Sequence, residues 1–234
     1  MVDAAIGGKT AVNLPGAKNA VGAFHPPAAV LVDPAALATL PARELRSGMG
    51  EVLKYAALRP ELLGRVSSLG RRAPGPDLVA ACARAKVEVV RRDPTEQGER
   101  KPLNLGHTFG HGVEAAGRFE QYTHGEAVAV GLAFAFRLAA LLGRVGPLAV
   151  AEVEDAIRAA GLPTRVPAPD ARRAASLMGY DKKRTAAGLR WVLPRADGAS
   201  WSVEWDVTAP DAAVAGAVAE IALTRGSTRA PDRG

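Results

Sequence analysis

Three of the four histidines in this 234-residue chain lie close together, between residues 107 and 124. His107 and His111, in the segment LNLGHTFGHG, are four positions apart, which places both imidazoles on one face of a helix about one turn apart. His124, in YTHGEAVAVG, begins the next apolar segment and can approach the same point from another direction. This arrangement suits a divalent metal ion. Core histidines or a chance pair give the same spacing, so the spacing alone leaves a metal site and a structural role open.

A metal ion held by imidazoles also needs a carboxylate, which supplies a hard oxygen ligand and offsets the charge of the ion. Glu51, in GMGEVLKYA, is the best candidate, because a glutamate in such an apolar context is expected to be buried only if it is paired or bound to metal. Lys54 follows three residues later and therefore projects from the same helical face.

A second set of residues is basic and could bind an anionic small molecule. Arginine binds phosphate and carboxylate groups bidentately and lysine binds them as a point charge, so the set suits a ligand that carries both groups. Each residue taken singly is most often a solvated surface charge. The set comprises Lys9, Lys18, Lys54, Lys86, Arg100 and Lys182. The segment IGGKT is not a Walker A phosphate loop, because Asp3 stands where that pattern requires its first glycine.

The elements that must position these residues are mostly helical. Apolar residues at helical spacing predict helices over residues 41–63, 77–91, 125–142, 147–160 and 211–223. Alternating residues predict a β-hairpin built from residues 189–194 and 201–207. Glycines and prolines predict a loop over residues 3–18 and connections over 68–77 and 162–170, and a short apolar run predicts a buried strand over 28–32. The predicted fold class is mainly α with a minor β sheet.

Composition narrows the possible partners. The formal charge of +6 comes mostly from scattered arginines, and only three Trp, three Tyr and five Phe could stack on bases, which disfavours a nucleic-acid partner. The single cysteine, Cys82, excludes a disulfide framework and a cysteine zinc cluster. Nothing near Met1 resembles a signal peptide, and no apolar run reaches about 18 residues without a charge or a glycine, so we expect a cytoplasmic protein without a membrane partner.

Five segments of the chain resemble successive blocks of the 3-dehydroquinate synthase family, in the order of the family: DAAIGGKTAVNLPGAKNAVGAFHPP, LPARELRSGMGEVLKYA, RDPTEQGERKPLNLGHTFGHGVE, THGEAVAVG and GYDKK. Five separate motifs agree in sequence and approximate spacing, which neither chance nor a shared fold alone produces. The chain is thus identified as a member of this family, within the sugar-phosphate cyclase superfamily. The resemblance implies the helical metal-binding C-terminal domain of an α/β dehydroquinate synthase-like fold.

The resemblance also implies cofactors and site residues. One zinc ion, for which cobalt can substitute, is held at positions that correspond to Glu51, His107 and His124, and His111 corresponds to a histidine that contacts substrate. A phosphorylated keto-sugar acid is bound at positions that correspond to Asp3, Lys9, Asn19, Lys54, Lys86, Arg100, Asn104, His111 and Lys182. Among these, catalysis is assigned to Lys54, Arg100 and His111. NAD contacts correspond to Lys9, Lys18, Ala36, Leu37, Ala38 and Thr39.

The implied activity converts 3-deoxy-D-arabino-heptulosonate 7-phosphate to 3-dehydroquinate and phosphate, a step of the shikimate pathway of aromatic amino acid biosynthesis. In this phosphate-eliminating lyase reaction NAD accepts a hydride, phosphate leaves, the hydride returns, and ring opening is followed by an intramolecular aldol closure. Lys54, Lys86 and Arg100 would hold the charged groups and stabilise a developing enolate, and His111 could carry a proton.

Three alternatives remain beside this activity. Metal-dependent polyol and alcohol dehydrogenases resemble the family in fold, but those with iron usually have Asp at the position of Glu51 and His at the position of Tyr55. Other sugar-phosphate cyclases, which make aminocyclitol or valiolone precursors, share the metal site, although Arg100 and Asn104 favour the dehydroquinate type. The third alternative is a non-catalytic metal-binding fragment.

The domain organisation departs from that of the family, whose members begin with a nucleotide-binding domain that carries a Gly-rich loop. No G-x-G-x-x-G follows a predicted strand in this chain. We therefore expect residues 1–40 to be a remnant of the NAD-binding domain and the inter-domain loop, 41–225 to form a helical metal- and substrate-binding domain, and 226–234 to be a disordered tail. Most of the Rossmann-like domain is expected to be missing. A start codon that was assigned too far downstream explains this better than a protein fragment or a degenerate gene product. The reason is that the residues expected at the site positions are all retained. We expect a homodimer in the full-length form and impaired activity for this chain alone.

Overall fold

The helical periodicity of the sequence is realised in eight α-helices among the described residues of a computed structural model. It describes residues 1–14, 17–178 and 189–223, except for the side chains of residues 13 and 17–20. The helices are α1 (Ala42–Leu58), α2 (Leu63–Leu69), α3 (Pro76–Arg92), α4 (His107–Ala116), α5 (His124–Leu141), α6 (Pro147–Ala159), α7 (Ala168–Met178) and α8 (Asp211–Ile221). Short 3-10 helices occupy Pro34–Thr39, Pro60–Leu62 and Lys101–Asn104. The predicted fold class is confirmed.

The strands of the described residues form three separate two-stranded ladders. They are β1 (Lys9–Leu14), β2 (Ala17–Phe24), β3 (Val166–Pro167), β4 (Trp191–Asp197), β5 (Ser200–Val207) and β6 (Ala222–Leu223). β1 pairs with β2 and β4 with β5 in antiparallel hairpins, whereas β3 and β6 are parallel. The second hairpin confirms the one predicted from the alternating residues.

Helix α5 lies at the centre of the helical core. Its sequence is apolar on nearly all sides, a pattern typical of a helix that is surrounded by other elements. Helices α1, α4, α6 and α8 and strand β4 pack against it. Thr123 and Glu126 close its N-terminus with reciprocal hydrogen bonds to the backbone, a capping box. By length and composition α5 could cross a membrane, but 72% of it is buried inside the protein, as in the core helix of a soluble protein.

Glycines allow three helix segments to approach one another closely at the functional end of the core. A Cβ atom on Gly125 of α5 would lie 1.7 Å from the carbonyl oxygen of Ser47 in α1. A Cβ atom on Gly131 would lie 1.9 Å from the carbonyl oxygen of Gly106, just before α4. Both distances are far shorter than any real contact, so only glycine fits at these two positions. The backbones of α1, α4 and α5 are thereby close enough for side chains from all three segments to meet.

Most predicted helices are confirmed, and two have different ends. The predicted helix over residues 41–63 is interrupted, because Pro60 has no N–H to continue the ladder of α1 and starts a 3-10 helix instead. The predicted helix over residues 211–223 ends at Ile221, and the last two residues form β6 against β3. The helices predicted over residues 77–91, 125–142 and 147–160 agree with α3, α5 and α6.

Two predictions for the N-terminal region are wrong. Residues 3–18, predicted as a loop, contain β1 and the start of β2. The left-handed backbone that suits a loop is confined to Gly7 and Gly8, just before β1 begins. Residues 28–32, predicted as a buried strand, have no regular structure, and Leu31 is 96% exposed, since no neighbouring strand pairs with this run.

A connection and a tail were also predicted in the C-terminal half of the chain. Helix α7 begins within the predicted connection over residues 162–170, since a proline such as Pro169 is tolerated in the first turn of a helix. The predicted tail over residues 226–234 lies outside the described residues.

Candidate metal and substrate site

The structure brings Glu51, His107 and His124 together. Glu51 lies in α1, and the two histidines are the first residues of α4 and α5. Oε1 of Glu51 lies 3.0 Å from Nε2 of His124 and 3.3 Å from Nε2 of His107. One ligand atom from each of the three residues lies within 4.8 Å of the other two. One cation could therefore contact all three side chains at once.

His111 adjoins this cluster without belonging to it. Its ring centroid lies 5.4 Å from that of His107, and the two rings meet edge to face at 88°. The ring of His124 lies at the same 5.4 Å from His107 on another side. The spacing of residues 107 and 111 left both as possible ligands, whereas the geometry combines His107 with His124 and leaves His111 exposed beside them.

The chemistry of the cluster fits a divalent transition metal. The side chain of Glu51 is only 13% exposed, and its Oε2 has no hydrogen bond of good geometry, although Nζ of Lys54 lies 2.6 Å away. Burial opposes ionisation of Glu51, but hydrogen bonds from His107 and His124 and the charge of Lys54 outweigh it and hold its pKa well below the ordinary value. One ionised carboxylate and two imidazole nitrogens are a ligand set that zinc and cobalt accept.

His124 also contacts a second carboxylate. Its Nδ1 lies 3.2 Å from Oε1 of Glu114, a buried residue of α4. Hydrogen bonds with Glu114 and Glu51 raise the pKa of His124 to about 9. Glu114 was not predicted from the sequence. Its position seven residues after His107 in the same helix is a weak signal, because it places the two residues on one face.

Asp3 is the centre of a buried ionic cluster next to the metal ligands. Its carboxylate forms ion pairs with Lys54 and Lys86 and accepts a hydrogen bond of 2.8 Å from the hydroxyl of Tyr55. Nζ of Lys86 also donates to the carbonyl oxygen of Asp3 at 2.6 Å. Three residues expected to bind substrate therefore lie together, and Tyr55 joins them as a residue that the sequence did not indicate for the site.

The pKa values of the two lysines of this cluster shift in opposite directions. Burial lowers the pKa of Lys54, but Glu51 and Asp3 outweigh it, so the net shift is upward and the ammonium is held firmly. Burial also lowers the pKa of Lys86, and Asp3 compensates only in part, so the net shift is downward. Lys86 therefore gives up its proton more readily than an exposed lysine.

Glu96 connects two other residues that were expected to bind substrate. It forms an ion pair with Lys9 and accepts a hydrogen bond of 2.6 Å from Nδ2 of Asn104. Its φ of 62° lies in the left-handed region, which is uncommon for a residue other than glycine and often marks a functional site. No sequence motif indicated Glu96, since a glutamate in a charged loop is normally solvated.

Arg100 is buried and anchored by its own loop. Its guanidinium donates to the carbonyl oxygen of Pro94 at 2.8 Å and lies 5.9 Å from the ring centroid of Phe24 in β2. The carboxylate of Asp93 accepts backbone N–H groups of this loop, including that of Arg100 at 3.0 Å, and these hydrogen bonds lower its pKa to about 2. The loop is thus ordered before any ligand binds.

The residues expected to contact NAD are only partly described. Ala36, Leu37, Ala38 and Thr39 lie in the 3-10 helix Pro34–Thr39, which Asp33 caps through a 2.9 Å hydrogen bond to the backbone. This helix is largely exposed. The side chains of Lys18 and Asn19, and all of Lys182, lie outside the described residues.

Comparison with protein families identifies the family to which the chain belongs. Residues 48–184 match the family model of the 3-dehydroquinate synthase C-terminal domain, and residues 1–47 match that of the N-terminal domain. The chain belongs to the 3-dehydroquinate synthase family. Relatives in the family include the 3-dehydroquinate synthases of Halorhodospira halophila and Xanthomonas campestris pv. campestris, which are 43% and 45% identical to it. These alignments cover 95% and 85% of the chain, which spans 62% and 57% of the two relatives.

Solved structures of sugar-phosphate cyclases share the fold of this 3-dehydroquinate synthase family member. A 2-epi-5-epi-valiolone synthase from Streptomyces hygroscopicus subsp. jinggangensis, with NAD+ and Zn2+ bound, is 29% identical, with a TM-score of 0.76 over 94% of this chain and 62% of the other. A 2-deoxy-scyllo-inosose synthase, complexed with carbaglucose-6-phosphate, NAD+ and Co2+, is 23% identical, with a TM-score of 0.75 over 94% and 64% of the two chains. The second likeness concerns the fold alone.

Proposed function

We propose that this chain is the metal- and substrate-binding part of a 3-dehydroquinate synthase, which converts 3-deoxy-D-arabino-heptulosonate 7-phosphate to 3-dehydroquinate and phosphate. The observation that carries the proposal is the convergence of Glu51, His107 and His124 beside a buried cluster of lysines. A metal site adjoining such a cluster suits a substrate that has both hydroxyl groups and anionic groups. The family membership supports the same reaction.

The metal ligands would hold a zinc or a cobalt ion. Glu51 supplies negative charge, and His107 and His124 supply nitrogen ligands that leave further coordination positions open. When bound, the ion would act as a Lewis acid toward hydroxyl groups of the substrate. The solved valiolone synthase contains zinc, which supports this assignment.

The lysine cluster would bind and orient the anionic groups. Lys54 and Lys86 are almost fully buried, so a carboxylate or phosphate that reaches them interacts in an environment of low dielectric constant. Asp3 holds both ammonium groups in place before substrate arrives. This preorganisation favours the stabilisation of negative charge that develops on the substrate during elimination.

A second group of residues would bind the opposite end of the substrate. Glu96 contacts Lys9 and Asn104, and Arg100 donates to the carbonyl oxygen of Pro94 in the same loop. We propose that Asn19 and Lys182 belong to this group as well. His111, exposed beside His107, is proposed to carry a proton between substrate and solvent, as a neutral imidazole can.

NAD would serve as a temporary hydride acceptor, contacted in this chain by Lys9, Lys18 and residues 36–39. The solved valiolone synthase contains NAD, which supports the need for it here. A homodimeric longer form and a cytoplasmic location remain predictions from the sequence and the family.

Phosphate release tests the proposal. We would measure inorganic phosphate formed from 3-deoxy-D-arabino-heptulosonate 7-phosphate in the presence of NAD and zinc. The proteins are this chain, and a chimera in which the part of the Halorhodospira halophila relative that lies N-terminal to its alignment with this chain precedes Met1. The chimera is expected to release phosphate. Glu51→Gln is expected to abolish release, whereas Glu61→Gln, at an exposed glutamate of the 3-10 helix Pro60–Leu62, leaves it unchanged.

The possible results separate the proposals. Activity only in the chimera would mean that this chain needs the N-terminal domain. A folded, zinc-loaded chimera that releases no phosphate would contradict the proposed activity.

A second candidate is another sugar-phosphate cyclase activity, favoured by the likeness to the valiolone synthase structure. The substrate of the first proposal carries a carboxylate as well as a phosphate. Assaying the chimera with a keto-sugar phosphate that lacks this carboxylate distinguishes the two activities. Faster phosphate release from that substrate would replace the first proposal by the second.

A further inference from the structure

Glu114 contacts the metal-ligand cluster from the side opposite to Glu51. It lies in α4, only 4% of its surface is exposed, and its Oε1 is 3.2 Å from Nδ1 of His124. The other ring nitrogen of His124, Nε2, is 3.0 Å from Oε1 of Glu51. The imidazole of His124 is therefore placed between two carboxylates that come from different helices.

The two histidines of the cluster have matching surroundings. Nδ1 of His107 lies 3.2 Å from the carbonyl oxygen of Leu105, and its Nε2 faces Glu51. In each ring an oxygen atom faces Nδ1, and Nε2 faces the proposed metal position. These acceptors point to the tautomer of the metal-bound site: a neutral imidazole whose Nδ1–H donates to an oxygen keeps the lone pair of Nε2 for a metal, and the hydrogen bonds between Nε2 and Glu51 would give way to the ion.

His124 needs this support more than His107 does. The side chain of His124 is 40% exposed, whereas that of His107 is 13% exposed and is held by packing. An exposed ring rotates unless a hydrogen bond fixes it. Of the two rings, only the more exposed one, His124, has a carboxylate at its Nδ1, that of Glu114. The negative charge of Glu114 also adds to that of Glu51 in offsetting the two positive charges of the ion.

We propose that Glu114 is a positioning residue of the metal site. It accepts the Nδ1–H of His124, directs Nε2 toward the ion, and strengthens retention of the ion through its charge. This inference rests on the metal site of the proposed function and deepens it. A carboxylate behind a metal-bound histidine typically changes metal affinity by about 10- to 100-fold.

The test measures metal binding by the complete chain and does not depend on turnover. Zinc affinity is determined by competition with a chromophoric chelator, and the cobalt form is examined by its visible absorption spectrum. The variants are Glu114→Gln, which keeps an acceptor oxygen but loses the charge, and Glu114→Leu, which removes both. The matched control is Glu154→Gln, at a buried glutamate of α6 that pairs with Arg137 and Arg158 away from the cluster.

We expect Glu114→Leu to weaken zinc binding about 10- to 100-fold and to change the cobalt spectrum. Glu114→Gln should have a smaller effect in the same direction. Glu154→Gln should lower the melting temperature without changing zinc affinity or the cobalt spectrum. If Glu114→Leu does not fold, Glu114→Gln decides alone, because its side chain has nearly the same shape as the original.

Two outcomes would overturn the inference. Zinc affinity and a cobalt spectrum equal to those of the parent, in folded Glu114 variants, would reduce Glu114 to a structural residue while the metal site stands. A parent chain that binds no zinc, or binds it equally well after Glu51→Gln, would remove the metal site itself and the role of Glu114 with it.

Discussion

Charges of opposite sign alternate through the candidate site at the scale of single residues. Oε2 of Glu51 faces Nζ of Lys54, Lys54 pairs with Asp3, and Asp3 pairs with Lys86. Burying an unpaired charge is costly, so each of these groups stabilises its neighbours in the charged state. A substrate anion that reaches this row therefore meets lysines that Asp3 has already positioned.

The hydroxyl of Tyr55 gives a test of this row that leaves every charge in place. Tyr55→Phe removes the hydrogen bond to Asp3 and is expected to cost about 1.5–3 kcal/mol of unfolding free energy, the range for a hydrogen bond to a charged group. Because Asp3 orients both lysines, the KM of the chimera for its substrate should also rise. Urea unfolding and phosphate-release kinetics measure the two effects.

A matched variant separates stability from function. Tyr122→Phe removes a comparable tyrosine–carboxylate hydrogen bond, to Asp170 at 2.5 Å, outside the site. It is expected to lower stability similarly and to leave KM unchanged. Equal KM values for Tyr55→Phe and the parent would show that Tyr55 has no part in orienting Asp3.

Only some of the site could be predicted from residue types. Glu51 and three candidate histidines, His107, His111 and His124, could be picked out, because histidines are rare and their clustering is conspicuous. The spacing could not choose between His111 and His124, since that choice depends on how α5 crosses α4. Glu96 and Glu114 were missed for a related reason: acidic residues are common, and only the tertiary structure shows that both are partly or fully buried among site residues.

At the scale of elements, glycines in α5 set the geometry of the metal ligands. Gly125 directly follows His124 and packs against the backbone of Ser47 in α1, one turn before Glu51. The distance between these two ligands therefore depends on a helix contact that tolerates no side chain.

Gly125→Ala is expected to force α1 and α5 apart. Overpacking of this kind costs about 1–3 kcal/mol of unfolding free energy, and the displaced ligands should bind zinc more weakly. The control is Gly48→Ala in the same region of α1, where an added Cβ meets no atom within 4 Å and should stabilise the helix by about 0.5–1 kcal/mol. Urea unfolding and zinc competition report both effects, and unchanged zinc affinity in Gly125→Ala would disprove the link between helix contact and ligand geometry.

Elements with clear periodicity could be predicted, and those defined by pairing could not. The apolar pattern of α5 and the alternation of β4 and β5 each carry their own signal. Strands β1 and β2 are rich in Lys, Asn and Ala, which are uncommon in strands, and glycines lie close to them in the sequence, so this region also suits a loop. Strands β3 and β6 are two residues each. Such strands exist only because a partner strand lies beside them, and no local pattern encodes that partner.

At the scale of the whole molecule, the chain spans 57–62% of the length of the two relatives described above. The metal ligands all lie within this span, whereas the residues expected to contact NAD are few and lie near its beginning. Metal binding and NAD binding should therefore depend differently on the N-terminal domain.

Calorimetric titrations test this difference. The chain alone is expected to bind zinc about as tightly as the chimera, because the three ligands are on α1, α4 and α5. NAD is expected to bind measurably only to the chimera, since most of the dinucleotide-binding surface of such enzymes belongs to a Gly-rich strand–helix unit. Equally tight NAD binding by the chain alone would show that its own residues form a sufficient site.

The central claim is that Glu51, His107 and His124 hold one metal ion. The most direct test is a crystal structure of the zinc-soaked chain, with anomalous differences recorded on both sides of the zinc absorption edge. We predict one strong peak, in contact with Oε1 of Glu51 and with Nε2 of both histidines, at the zinc–nitrogen and zinc–oxygen distances of about 2.0–2.2 Å typical of proteins. A well-diffracting crystal with no peak among these three residues, or with its main peak elsewhere, would contradict the account.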